Sequence, residues 1–130
     1  MVTWLISLMI PLLIAALWHG FSLQIATVLA GEEAPGFFRA LFVSLLGAFL
    51  GGTAGTVWSL TAGLMISIFF SQWLAWGLGF VLVLFVTGAV HRKGLRLSAP
   101  AAVGVSGIHA FLTFVVNALL GWLTYSFLVV

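Results

Sequence analysis

Polar residues interrupt this chain at only a few places, and the interruptions define its elements. An apolar run extends from Trp4 to Ala30 and stops at Gly31-Glu32-Glu33-Ala34-Pro35-Gly36. A second begins at Phe37 and continues to Val90, where His91-Arg92-Lys93-Gly94-Leu95-Arg96 ends it; a third follows Pro100 to about Leu128. Crossing a bilayer takes about 20 residues of helix, so the outer runs are one helix each and the middle run is a tight hairpin of two. The pattern predicts an all-α integral membrane protein, a small up-down bundle of about four transmembrane helices. They cover approximately residues 4–30, 38–70, 73–90 and 101–128 of a single polytopic domain, 1–130.

Two stretches qualify for the turn inside the middle run. One is Gly51 to Gly63, and the other is Ser71-Gln72-Trp73, where an amide adjoins Trp73 and Trp76 as in an interfacial aromatic belt. Small residues recur at every fourth position, Gly47, Gly51, Gly55, Ser59, Gly63, Ser67 and Ser71, which reads as one face of one long, tilted or kinked helix. The turn is therefore assigned to Ser71-Gln72-Trp73. Pro11 removes a backbone donor and predicts a kink in the first helix, and Pro35 is placed to open the second. The first run lacks a basic start and exceeds the ~7–15 residues of a signal-peptide core, so it is expected to be a retained helix.

Composition agrees: 64% of the 130 residues are hydrophobic and 5% charged, against about 25% charged in soluble domains. Lipid, not water, is then the solvent for most of the surface. The chain has four Lys/Arg, two Asp/Glu and no Cys. That is too few cations for a nucleic-acid surface, and it leaves no disulfide framework or thiolate metal site. All four basic residues, Arg39, Arg92, Lys93 and Arg96, flank the first and third connections. The positive-inside rule then places both termini on the non-cytoplasmic side of what is expected to be a bacterial inner membrane.

Ionisable residues inside a bilayer are costly and mark cavities or partners. His19 lies roughly 18 Å from the inner end of the first helix and His109 roughly 13 Å past Pro100, at 1.5 Å per residue. Two imidazoles at similar depth on antiparallel helices are candidate axial ligands of a b-type haem, or walls of a quinone pocket. Arg39, Arg92 and Lys93 would supply cations for propionates or a head group, and Gly20, Gly104 and Gly107 would admit a flat ring. Interhelical hydrogen bonding is the competing role for the same histidines. His91, beside Arg92, reads as a solvated loop residue. His109, Thr113, Asn117 and Gly121 form a polar and small stripe on the last helix, and Ser22, Gln24 and Thr27 polar groups on the first; both are expected to face inward. His19-x-Phe21 aligns without gaps on His109-x-Phe111, a likeness attributed to chance because the two helices run in opposite directions.

Glu32 and Glu33 are adjacent in a loop and cannot form an acid and base pair on one helix face. No nucleophile constellation, phosphate loop or metal spacing is present, and no motif names a family. The expected function is therefore non-catalytic: a small membrane subunit that packs against larger membrane-protein partners, or against itself, in an accessory, assembly or stabilising role. Gly47, Gly51, Gly55, Ser59, Gly63 and Asn117 would serve that packing, with lipid in the grooves. The alternatives are a redox anchor holding haem or quinone between His19 and His109, and a small channel or transporter walled by the glycine face.

Overall fold

A backbone in lipid has no water to satisfy its N–H and C=O groups, so apolar segments of this length must satisfy them internally as helices. The computed structural model describes the backbone of residues 2–128 and the side chains of residues 9, 10 and 13–122. It comprises α1 (Val2–Leu29), α2 (Phe37–Leu60), α3 (Ala62–Phe69), α4 (Gln72–Leu95) and α5 (Ala99–Leu128), with no strand among the described residues. The segments Phe37–Leu60, Gln72–Leu95 and Ala99–Trp122 are each long and apolar enough to cross a membrane, and α1 contributes the apolar stretch Leu13–Leu29. The protein is thus a small all-α membrane bundle. The surroundings of Trp4 and Pro11, and so the packing at the expected kink, lie outside the described side chains.

The helices close into a ring. α1 and α4 each pack against α2 and α5, while the diagonal pairs, α1 with α4 and α2 with α5, do not approach one another. At the first corner Gly31 takes φ 80°, a left-handed turn that glycine adopts without strain. There the Gln24 side-chain amide donates to the Pro35 carbonyl at 2.8 Å. The core of Leu23, Ala26, Ala40, Val43 and Val105, with Val90, Leu95 and Leu97 packed on it, lies toward the end that carries the α1–α2 and α4–α5 connections. Toward the opposite end α1 exposes Met9, Leu13 and Ile14, and α5 exposes Phe111, Phe114 and Leu119. Among the described residues the ring is thus the more closed at the end that carries these connections and the more open at the other.

Two boundaries differ from the sequence pattern. The helix expected over 38–70 breaks at Thr61, whose φ −122°, ψ −104° leaves the helical region and separates α2 from α3. Thr53, Thr56, Ser59 and Thr61 each turn the side-chain hydroxyl back onto the carbonyl four residues earlier, a bond that bends helices. The break also seats Trp58, which donates its indole N–H to the Ala75 carbonyl at 2.9 Å. A Cβ added at Gly63 or Gly79 would meet that indole at 2.8 or 2.7 Å. The second difference is in α4, which runs through the basic stretch expected as a loop and stops only at Leu95. Arg92 and Lys93 then occupy its last turn, where cations favour the negative end of the helix dipole. Gly94 lets Val43 come within 2.6 Å of where a Cβ would sit. Arg96 caps α4 at φ 60°, a left-handed conformation costing a non-glycine residue about 1 kcal/mol.

Candidate functional site

Each helix of the ring contributes to one polar layer near the closed end. On α4, Ala75, Gly79 and His91 are buried, and together with Val83 and Thr87 they form a ridge at four-residue spacing. That ridge meets the glycine face of α2. A Cβ at Gly47 would lie 3.4 Å from His91 Nε2, one at Gly51 2.8 Å from the Thr87 methyl, and one at Gly55 3.1 Å from a Val83 methyl. Small residues let two helix backbones approach where lipid offers no hydrophobic drive. The first three members of the expected zipper therefore pack within the chain. Ser59 is exposed, and Gly63, across the break, is buried on α3. The space a pore along Gly47, Gly51 and Gly55 would need is filled by α4.

His91, expected as a solvated loop residue, is instead 1% exposed. Its Nδ1 is 2.8 Å from Ser106 Oγ on α5. Burial follows from the extension of α4, which turns the histidine in toward Gly47. One turn along α5, His109 is 8% exposed and lies 3.0 Å through Nδ1 from Ser22 Oγ on α1. Ser22 also donates to the His19 carbonyl at 3.1 Å. A hydroxyl has one proton, so when Ser22 donates to the His19 carbonyl its oxygen accepts from the Nδ1–H tautomer of His109. The neutral His109 ring then carries its lone pair on Nε2. The His19 ring is tilted 56° to His109 at a centroid separation of 5.6 Å, and His91 stands edge-on to His109 at 5.4 Å. His109 is thus the middle of three touching imidazoles, with Ser22, Ser44, Thr27 and Ser106 buried around them.

The two expected haem ligands do meet, with ring centroids 5.6 Å apart. The Ser22–His109 hydrogen bond crosses the same α1–α5 gap through Nδ1 and leaves His109 Nε2 toward the cluster of rings. The expected cations are not brought to this pair. Arg39 donates from Nε to the Gly94 carbonyl at 2.9 Å, tying α2 to the end of α4, and Arg92 lines a separate cavity between α4 and α5. No group of three His, Cys, Asp or Glu among the described residues is placed to hold a metal ion. Of the α5 stripe, Thr113 is half-buried while Asn117 and Gly121 are exposed. Ser106 and His91 were missed by the sequence reading. The four-residue spacing of Ala75, Gly79, Val83, Thr87 and His91 was the available signal, since ridges of this spacing are what helices pack together.

The chain matches no family model, no curated protein and no solved structure.

Proposed function

We propose that this protein is a non-catalytic integral membrane subunit that packs against other membrane-protein helices and supports their assembly or stability. The reading is carried by a polar group on α5 that faces lipid without a partner among the described residues. Asn117 is exposed on α5 with no hydrogen bond among the described residues. Asn117 stands about 10 Å from the middle of the Ala99–Trp122 segment at 1.5 Å per residue, inside a hydrocarbon half-thickness of about 15 Å. An amide at that depth is satisfied by a neighbouring helix, not by lipid. A second open face supports the same reading: a groove of about 550 Å³ between α2, α3 and α4, lined by Gly52, Ser59, Gln72 and Trp76. We propose a bacterial cytoplasmic membrane as its location, with both termini outside; the charge bias of the connections supports that orientation.

A photo-crosslinking residue at position 117, with position 38 as control, tests this in the native membrane. A discrete protein adduct at 117 is the expected result. Asn117→Leu should weaken the association by about 0.6–2 kcal/mol, roughly three- to thirtyfold, as read from the fraction of complex retained in mild detergent. Recovery of the chain as a stable monomer, with only lipid adducts at 117, overturns the proposal.

A further inference from the structure

The end of α4 and the start of α5 enclose a cavity of about 660 Å³ that the packing of the helices does not use. Arg92, Lys93 and Arg96 line its mouth, and Leu84, Phe85 and Val103 line its wall. The three cations are exposed, and no acidic group pairs with any of them among the described residues. Both glutamates lie on the α1–α2 connection, and α1 is diagonal to α4 in the ring. The fourth cation, Arg39, is held at Gly94. From Arg96 down to Leu84 the cavity follows about three turns of α4, roughly 18 Å at 1.5 Å per residue. That length is close to one leaflet of a ~30 Å hydrocarbon core. The cations also complement the dipole at the α4 C-terminus, but Arg96 lies beyond the last turn and the apolar wall has no part in that role.

We infer that this cavity is a binding site for an anionic phospholipid of the leaflet that borders the two polar connections. The phosphate and any further acidic group of the head sit among Arg92, Lys93 and Arg96, and one acyl chain lies along Leu84, Phe85 and Val103. Charge complementarity selects an anionic head over a zwitterionic one, because basic residues at a membrane surface attract anionic lipid. The apolar wall selects a lipid over a free phosphate compound, which would meet only the mouth. The site stands independently of partner packing, since Asn117 does not line it.

The test uses the full chain purified in uncharged detergent. It is titrated separately with phosphatidylglycerol, phosphatidylcholine and glycerol phosphate, and the bound fraction is read by native mass spectrometry. Each cation near a membrane surface is worth about a fivefold change in binding, so phosphatidylglycerol should be retained on the order of a hundredfold better than phosphatidylcholine. Lys93→Gln and Arg96→Gln should each weaken retention about fivefold. Arg39→Gln removes the same charge outside the cavity and should leave retention unchanged. Val103→Trp fills the wall without touching a charge and should also lower retention. Lys93 is exposed and makes no hydrogen bond among the described residues, so its variant folds whatever the fate of the others. Equal retention of the two lipids, an Arg39→Gln loss matching Arg96→Gln, or displacement of the lipid by glycerol phosphate at equal concentration overturns the inference.

Discussion

Gly51 and Gly52 are neighbours on α2 that face different surroundings. A Cβ at Gly51 would press on the Thr87 methyl at 2.8 Å and a Val83 methyl at 3.3 Å, whereas one at Gly52 meets nothing within 4 Å. Thr87 cannot easily yield, because its hydroxyl is held by the Val83 and Leu84 carbonyls. Gly51→Ala should therefore cost about 1–3 kcal/mol, as overpacking does. Gly52→Ala should stabilise α2 by up to about 1 kcal/mol through helix propensity. Unfolding in detergent, followed by circular dichroism, separates the two. At the histidine layer, Ser22→Ala leaves His109 Nδ1 buried without its hydrogen-bond partner and should cost about 1–3 kcal/mol. The Ser22→Ala, His109→Leu double variant should lose less than the sum of the single losses, by about 0.5–3 kcal/mol. The glycine face was legible in the sequence because its spacing is the packing rule itself. What lay opposite was not. A histidine beside three basic residues carries the signature of a surface loop, and only the course of α4 through Gly94 reveals that His91 turns inward.

At the scale of elements, the joint at Thr61 trades a continuous helix for a lid. The indole of Trp58 covers Gly63 and Gly79 and is bonded to Ala75, so α2, α3 and α4 are locked at one residue. Trp58→Phe keeps most of the ring and loses one hydrogen bond, with an expected cost of about 0.5–1.5 kcal/mol. Trp58→Ala removes the lid and should cost about 3–5 kcal/mol. Nearly equal losses for the two would show that the ring does not fill the joint. The number of apolar runs and the turn at Ser71, which caps α4 by accepting from the Leu74 amide, could be read from composition and spacing. The break could not, because four-residue periodicity passes through Thr61 undisturbed. It is set by side-chain hydroxyls competing for backbone carbonyls, which hydrophobic pattern does not register.

For the whole molecule, the difference between the two ends is a difference in local stability. Regions with few buried contacts open at lower free energy than cores. Hydrogen exchange in detergent should therefore be slowest around Ser22–Thr27, Ala40–Gly47 and Ala102–His109, and faster in α5 beyond Phe111. Uniform protection along α5 would contradict this. Partner binding at the open end, if it covers Asn117, should slow exchange there and leave the closed end unchanged.

The ring has a consequence for how the protein is made. Its closing contact joins α1 to α5, which follows the other four helices along the chain, through Ser22 and His109. Until α5 enters the bilayer, the imidazole of His91 lacks Ser106, and the Ser22 hydroxyl keeps only the His19 carbonyl. A chain stalled after Arg96 is therefore expected to be recognised as incomplete by membrane proteases, and addition of a separate α5 segment should rescue it. Biosynthetic quality control is thus written into the order in which the helices meet.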